Sequence, residues 1–400
     1  MTDENPGMPL EGLKVIELAT IVAGPSTGKY LADFGADVIK VEHPKTGDTT
    51  RGMGYKHEGV ALWWKLVGRN KRPVTLNLSH PKGQEIARRL LADADAMIEN
   101  FRPGTLERWD LAPDALAELN PRLIVLRISG FGQTGPYARK PGFGTLAESI
   151  SGVAHISGMP DGPPMLPAIA LADEVAGLVG AYAVLMALHE RDRSGKGQVI
   201  DASLYESLFQ LTGPLAMAYD KLGVVMERIG NRIAYSAPRN AYRTADGHWV
   251  GVSGTAQTVA ERIFRAIGRP ELITDPRFAT NNDRLANIDE LDAVIGDWIG
   301  AHPLDEVVAT FEAEGAAVAP IYDARQIFDD PQYQARGSIA TVEDDELGTL
   351  RMQDVTPRLS RTPGRIRHAG LPLGAANGEV YGALGISPEE LAALKAERVI

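Results

Sequence analysis

The sequence predicts an α/β fold: a large domain built on a doubly wound parallel sheet, with a smaller α+β domain set into the chain. Three observations predict it. Strand-like apolar runs and helix-like runs alternate at short intervals through the first half. After about residue 210 that rhythm gives way to a hairpin signal followed by amphipathic helices. The chain has 400 residues, 44% of them hydrophobic, enough for two domains with substantial cores.

Taken in order, "LKVIEL" (13–18) is an apolar strand, "GPSTGKYLADFG" (24–35) a helix closing at a glycine, and "ADVIKVE" (36–42) a second strand. "RPVTLNL" (72–78), helical "PKGQEIARRLLADA" (81–94) and "DAMIEN" (95–100) repeat the alternation, as do "PDALAELN" (113–120) and "RLIVLRISG" (122–130). A long apolar helix over 174–192 and the strand-like "QVIDASL" (198–204) continue it. In the second half, "NAYRTADGHWVGVS" (240–253) reads as two strands joined around Asp246-Gly247, a strong hairpin signal. Helices follow over 258–268, 289–302 and 304–315. The tail carries a strand-like run over 347–355 and a C-terminal helix over 387–399.

The net charge of −11 argues against nucleic acid or an anionic membrane as the main partner. There is no cysteine, which removes disulfides, thiolate nucleophiles and cysteine metal sites and suits a cytoplasmic home. The acidic start "MTDENPGMPLEG" is not a signal peptide. The longest apolar run, Val175–Leu188, falls short of a membrane span of about 20 residues and reads as a fully buried core helix.

Familiar catalytic motifs are missing. "GPSTGK" (24–29) has three residues between its glycines, and Tyr30 follows the lysine; a phosphate loop needs four, then Ser or Thr. No G-x-G-x-x-G follows the first strand, no G-x-S-x-G elbow exists, and the histidines lack metal spacing. Carboxylates therefore lead the candidates for covalent chemistry. Asp173 stands at the head of the long apolar run. It reads either as a helix N-cap or as a reactive group where water is scarce. Basic residues gather at Arg69, Lys71 and Arg72, and at Arg102 and Arg108 after a strand end. Ligands of open parallel sheets sit beyond such ends. The bland reading of these is solvated surface charge.

Several segments together resemble one family. They are "LEGLKVIELATIVAGPSTGKYLADFGADVIKVEHPKTGDTTR", "GRNKRPVTLNLSHPKGQEIARRLLADADAMIENFRPGTLERW" and "LADEVAGLVGAYAVLMALHERDRSGKGQVIDASLYES", followed by "PRNAYRTADGHW", "DPRF" with Arg284 beyond it, "DDPQYQARG" and "LSRTPG". In this order they resemble the class III coenzyme A transferases, a group that includes formyl-CoA transferase, carnitine CoA-transferase and α-methylacyl-CoA racemase. The resemblance implies a Rossmann-like large domain with a parallel sheet, built from residues 1–212 and a return segment 326–400. A smaller α+β domain with its linkers spans 213–325, and two chains form an interlocked-ring homodimer.

The resemblance also implies chemistry. Asp173, four residues before Gly177 and ahead of "RSGKGQ" (193–198), matches the family's nucleophile. An aspartate is ionised at neutral pH without a helper base. It would pass through a mixed anhydride and an aspartyl-CoA thioester, in a site that excludes water. The coenzyme contacts carried over are Val22 and Ala23 after the first strand, His43 where relatives often have arginine, Leu76 and Asn77, then Asn100, Phe101 and Arg108 in "ENFRPGTLER", and Lys140. Leu76 and Phe101 read equally well as core. No metal and no cofactor beyond coenzyme A is implied. The partners are acyl-CoA, small carboxylic acids and a second copy, with no nucleic acid and no membrane. The racemases pair the aspartate with a histidine; Phe143 stands at that place here, which disfavours racemase chemistry. A non-catalytic acyl-CoA-binding protein is a third reading. "PGFGTLAES" with "GPPMLPAIALAD" resembles members acting on dicarboxylic acids, with Arg139, Lys140 or Arg239 as partners for a distal carboxylate. Only Gly254 stands in 252–257, where some relatives have a glycine run, which suggests a less mobile lid.

Overall fold

The computed structural model describes residues 7–400. It divides into two compact units. The first comprises residues up to Val153, Leu166–Pro214 and Gln334–Ile400; the second comprises Ala154–Met165 and Leu215–Tyr333.

Six strands form the sheet of the first unit: β1 (Lys14–Glu17), β2 (Asp37–Glu42), β3 (Lys71–Thr75), β4 (Ala96–Glu99), β5 (Ile124–Ser129) and β6 (Val199–Ser203). All neighbours are parallel, in the order β3-β2-β1-β4-β5-β6. This is the doubly wound Rossmann order, in which ligands bind where the winding reverses. Here the reversal falls between β1 and β4. The strands bury apolar side chains on both faces because helices cover both, while Glu17, Lys40, Lys71, Glu99 and Arg127 bring buried charges into the same strands. Alternation sends Ile16, Ile39, Met97 and Val125 into one core, and Val15, Val38, Ile98 and Leu126 into the other.

Helix α1 (Ala23–Asp33) follows β1 and helix α2 (Pro81–Leu91) follows β3. Later come α3 (Gly144–Ile150) and the 24-residue α4 (Leu171–Ser194). α4 lies directly on α1. A Cβ at Gly177 would stand 2.7 Å from Ser26 Cβ, and one at Gly180 would stand 2.6 Å from Thr27 Oγ1. Only glycine permits this approach, and Thr27 Oγ1 seals it by donating to the Gly177 carbonyl at 3.0 Å.

α4 is not the fully buried helix that its composition suggests. It packs along one side, while Leu178, Tyr182, Leu185 and Met186 are exposed on the other. It also begins at Leu171, with Ala170 as N-cap, rather than at 174. The return segment contributes helices Asn377–Ala383 and Pro388–Ala396, and Val380, Tyr381, Leu394 and Val399 join the core around α2.

In the second unit, strands Arg239–Arg243, Trp249–Ser253 and Val318–Pro320 form an antiparallel sheet with the middle strand at its centre. Helices Gln257–Ala266, Ile288–Gly300 and Leu304–Ala313 bring Phe264, Ile295, Ile299 and Phe311 into its core.

Candidate active site

The loop after β1 is fastened at the reversal point. Leu18 and Ala19 donate their N–H groups to the Ile98 carbonyl at 2.8 and 3.2 Å. Thr20 N–H donates to Asn100 Oδ1 at 2.8 Å, and Asn100 Nδ2 donates back to the Thr20 carbonyl at 2.7 Å. Ile21 holds a left-handed φ of 71°, a conformation uncommon for branched residues, and its N–H donates to Asp48 Oδ1 at 3.2 Å. Val22 and Ala23 are thereby set at the head of α1, both buried.

Beneath the loop lies a buried charge cluster. Lys40 Nζ sits 2.7 Å from Asp48 Oδ2 and 3.1 Å from Glu17 Oε1, and also donates to the Ala19 carbonyl. Lys71 Nζ is 2.8 Å from Glu17 Oε2 and donates to the Pro25 carbonyl at 2.7 Å. Burial opposes the charge on Lys40, but Asp48 and Glu17 outweigh it and hold the amine above its usual range. For Lys71, burial wins over Glu17 and brings it down to about 8. The cluster fixes the backbone of Ala19 and Ile21 from below.

Asp173 stands in the first turn of α4 but does not cap it, since no side-chain cap bond forms there. The orphan N–H of Ala172 is instead accepted by Glu148 Oε1, from α3, at 3.3 Å. Glu174 is also committed: it accepts from Ser26 Oγ at 3.0 Å and Tyr30 Oη at 2.9 Å, with Lys29 Nζ at 3.9 Å. Among the described residues, none donates a hydrogen bond to the Asp173 carboxylate. That group lies against Gly144, where a Cβ would stand 2.3 Å from Oδ2. Burial, then the charges of Glu148 and Glu174, push Asp173 up to about 6. It is thus a carboxylate of raised basicity that accepts no hydrogen bond from the described residues. Phe143, at the place of the racemase histidine, is the N-cap of α3 and 58% exposed. The nearest histidine in sequence, His155, faces Glu227 at 3.4 Å in the second unit.

The remaining sequence-derived positions separate into groups. His43 and Asn77 line a cavity of about 500 Å³ with Pro44, Lys45, Lys395, Arg398 and Ile400. Leu76 is 2% exposed and belongs to the core. Phe101 packs edge-on to Trp109 at 4.9 Å beside the same core. Asn100 spends its side chain on Thr20. Arg108 lines a second cavity of about 420 Å³ with Arg102, Pro103, Gly104 and Arg139. Lys140 does not line it; its ammonium lies 3.5 Å from the Tyr137 ring centre. In the second unit, Arg239 lines a cavity of about 540 Å³, and its Nη1 donates to the carbonyls of Asn231 and Arg232 at 3.2 Å each. Gly254 is held there too, its N–H donating to the Pro238 carbonyl at 2.7 Å.

Sequence reasoning missed Glu148, Gly144, Lys45, Lys395 and Arg398. The first two sit in a short helix that shows no periodicity of its own. The last two lie some 350 residues from His43, and nothing local joins them to it.

Comparison with known proteins gives a concordant result. The model for "CoA-transferase family III" matches residues 10–377. The chain is 44% identical to succinyl-CoA–D-citramalate CoA-transferase of Chloroflexus aurantiacus, over 100% of both chains. It is 42% identical to the succinyl-CoA–L-malate CoA-transferase beta subunit of the same organism, over 98% of each. Among solved structures, a CAIB/BAIF family protein from Brucella suis superposes with a TM-score of 0.84 at 34% identity, covering 94% of this chain and 100% of that one.

Proposed function

The chain belongs to CoA-transferase family III, and on that premise we propose that Asp173 carries coenzyme A from succinyl-CoA, or another dicarboxylyl-CoA, to a small dicarboxylic or hydroxydicarboxylic acid. The observation that carries this reading is the free, half-buried Asp173 carboxylate between two carboxylates that are already committed. The relatives named for citramalate and malate support the substrate class.

In the reaction, Asp173 attacks the donor thioester carbonyl. The C–S bond breaks, and a mixed anhydride and CoA thiolate result. The thiolate attacks the aspartyl carbonyl, releasing the donor as carboxylate and leaving an aspartyl-CoA thioester. The acceptor carboxylate attacks that thioester and displaces the thiolate again. The thiolate then takes the acceptor's acyl group from the second anhydride and restores Asp173. Each step exchanges one carboxylate or thiolate for another, so no net proton or electron moves and no further cofactor is called for. Neutral pH suits a nucleophile that titrates near 6. The exposed apolar residues Phe143, Leu146 and Ile150 on and beside α3 would keep water from the anhydrides once covered.

The cover we propose is a second copy of the chain. Leu178, Tyr182, Leu185 and Met186 recur at helical spacing on the outer side of α4, and exposed apolar faces of this kind mark protein contacts. α4 is long and apolar enough to cross a membrane by length and composition. Its inner side, however, is locked on α1 through Gly177 and Gly180, which favours a protein partner over lipid. An interlocked homodimer fits this surface.

The test is a panel of acyl-CoA donors against carboxylic acid acceptors, read by mass spectrometry, with hydroxylamine trapping of acylated enzyme. Transfer from succinyl-CoA and a trapped adduct on the Asp173 peptide support the reading. Turnover by Asp173→Asn at the wild-type rate would refute it.

A further inference from the structure

We infer that the cavity of about 540 Å³ in the second unit is a carboxylate site for a small dicarboxylic or hydroxydicarboxylic acid, anchored by the Arg239 guanidinium. The inference rests on the CoA-transferase reading for the class of acid, and deepens it by assigning that acid a residue of its own.

The cavity opens on the side of the antiparallel sheet that faces away from its helices. Alternation along the strands sends Tyr242, Val250 and Val252 into the core and turns Arg239, Ala241, Gly251, Ser253 and Ala319 the other way. Gly251 pairs with Ala241 on one side and with Ala319 on the other. A Cβ at Gly251 would meet only the Ala319 carbonyl, at 4.0 Å, so this floor is open and carries nothing larger than a methyl. Ser253 pairs with Arg239, which sets a hydroxyl beside the guanidinium at the end of the floor.

Arg239 is oriented and uncommitted. Its Nη1 donates to the Asn231 and Arg232 carbonyls at 3.2 Å each. That holds one corner of the fork and leaves Nε and Nη2 as donors. Among the described residues no acid pairs with Arg239, and no acid lines the cavity. The Asn231 amide and the Ser253 hydroxyl have no hydrogen-bond partner among the described residues either. A second cation in this unit also lacks an acid. Arg284 is 0% exposed, and it donates to the Ala237 carbonyl at 2.6 Å, the Phe278 carbonyl at 3.1 Å and Gln257 Oε1 at 2.9 Å. Its Nη2 has no partner. A buried guanidinium that bonds only neutral oxygens, one of them two residues before Arg239, favours an anion nearby.

Charge sets the class of ligand. One guanidinium in contact, with two neutral donors, matches a carboxylate, which spreads one charge over two coplanar oxygens. A phosphate monoester carries about −2 and three acceptor oxygens and would be half matched. Arg139 and Lys140, the other candidate partners of a distal carboxylate, are placed differently. Arg139 shares its cavity with Arg102 and Arg108, more charge than one carboxylate brings, and the Lys140 ammonium lies on the Tyr137 ring.

The test is succinate binding to the full-length protein by ligand-observed NMR, with inorganic phosphate as competitor. Arg239→Gln should weaken succinate by about tenfold or more, the worth of a charge-assisted bidentate contact. Arg239→Lys, which keeps the charge without the planar fork, should fall between. Because Arg239 also holds two carbonyls, Ala241→Asp is the second variant: it leaves those bonds in place, adds a negative charge to the floor and should weaken succinate as much. Tm and CoA affinity should hold in all three. Succinate binding that ignores Arg239→Gln or Ala241→Asp, or phosphate that binds this site more tightly than succinate, overturns the assignment. Kinetics then tell which acid uses the site. An acceptor KM that rises in step with the lost binding assigns it to the acid being exchanged. An unmoved KM, with a rate effect of free succinate that Arg239→Gln abolishes, assigns it to an unreacting acid. The two readings fail differently. If Asp173 is acylated while succinate binding ignores both variants, only this site falls. If succinate binding depends on Arg239 but Asp173 is never acylated, the transferase reading falls and the site stands.

Discussion

Gly144→Ala should silence the enzyme without unfolding it. The added Cβ would stand 2.3 Å from Asp173 Oδ2, where an uncharged carbon–oxygen contact needs roughly 3.3 Å, so about 1 Å of movement is required. The backbone at Gly144 has no positive φ, and alanine is the better helix former by up to about 1 kcal/mol. α3 therefore has no reason to melt. The part free to move is the Asp173 carboxylate, the far end of a side chain that no described residue holds by a hydrogen bond. Displacing a reacting atom by about 1 Å costs on the order of 10²-fold in rate. The expected result is a kcat lower by about 100-fold, a Tm equal to or above wild type, and unchanged CoA affinity. Steady-state transfer, thermal denaturation and calorimetry measure the three. A variant that keeps wild-type kcat would show that the carboxylate's present position is not the reactive one. A variant with collapsed Tm would show that α3, not Asp173, yields.

Further outcomes follow from the structure. The kcat/KM of the free enzyme should fall on the acid side as Asp173 protonates near pH 6, and a flat profile from pH 5 to 8 would count against it. For stability the sign is opposite: a carboxyl whose native pKa is raised favours the folded state when protonated, so its contribution is full below about pH 3.8 and is lost as pH rises through 6; Asp173→Asn should remove that slope in denaturant titrations. Lys40→Met leaves Glu17 and Asp48 without their shared buried partner and should destabilise by about 3–5 kcal/mol, whereas Asn100→Ala, which only unpins Thr20, should raise KM for acyl-CoA with little loss of Tm; equal effects on both readouts would contradict the positioning role. If a second copy covers α4 as proposed, Leu185→Asp with Met186→Asp should leave a monomer in light scattering, and a dimer that forms despite both charges would refute that interface.

The doubly wound sheet was legible because short strand-like runs rich in Val and Ile alternate with helix-like runs along the first half of the chain. What escaped were features set by distant parts of the chain. "GTLAES" carries no helical stripe, so α3 was unread, although it places both Gly144 and Glu148 beside Asp173. The burial of α4 was overread, because composition cannot distinguish a side that packs on α1 from a side that awaits a partner. Leu76 had both a ligand and a core reading, and its side chain falls in the core.

The adjacent acids Asp173 and Glu174 show why local sequence could not decide between capping and chemistry. One helix step rotates a side chain by about 100°, so neighbours face different surroundings. Glu174 turns toward α1 and is held by Ser26, Tyr30 and Lys29. Asp173 turns toward α3 and meets a glycine. The capping duty that would have occupied Asp173 is performed from outside by Glu148, a residue 25 positions earlier in the chain. That delegation leaves one of three clustered carboxylates without a structural bond, which is the observation behind the proposal that Asp173 forms the anhydride. If Glu148→Ala forces Asp173 back onto the Ala172 N–H, transfer should drop and the pH profile should shift to lower pH together, because the same bond that caps the helix lowers the nucleophile's basicity. A rate loss with an unmoved profile would mean that Glu148 acts only on the fold.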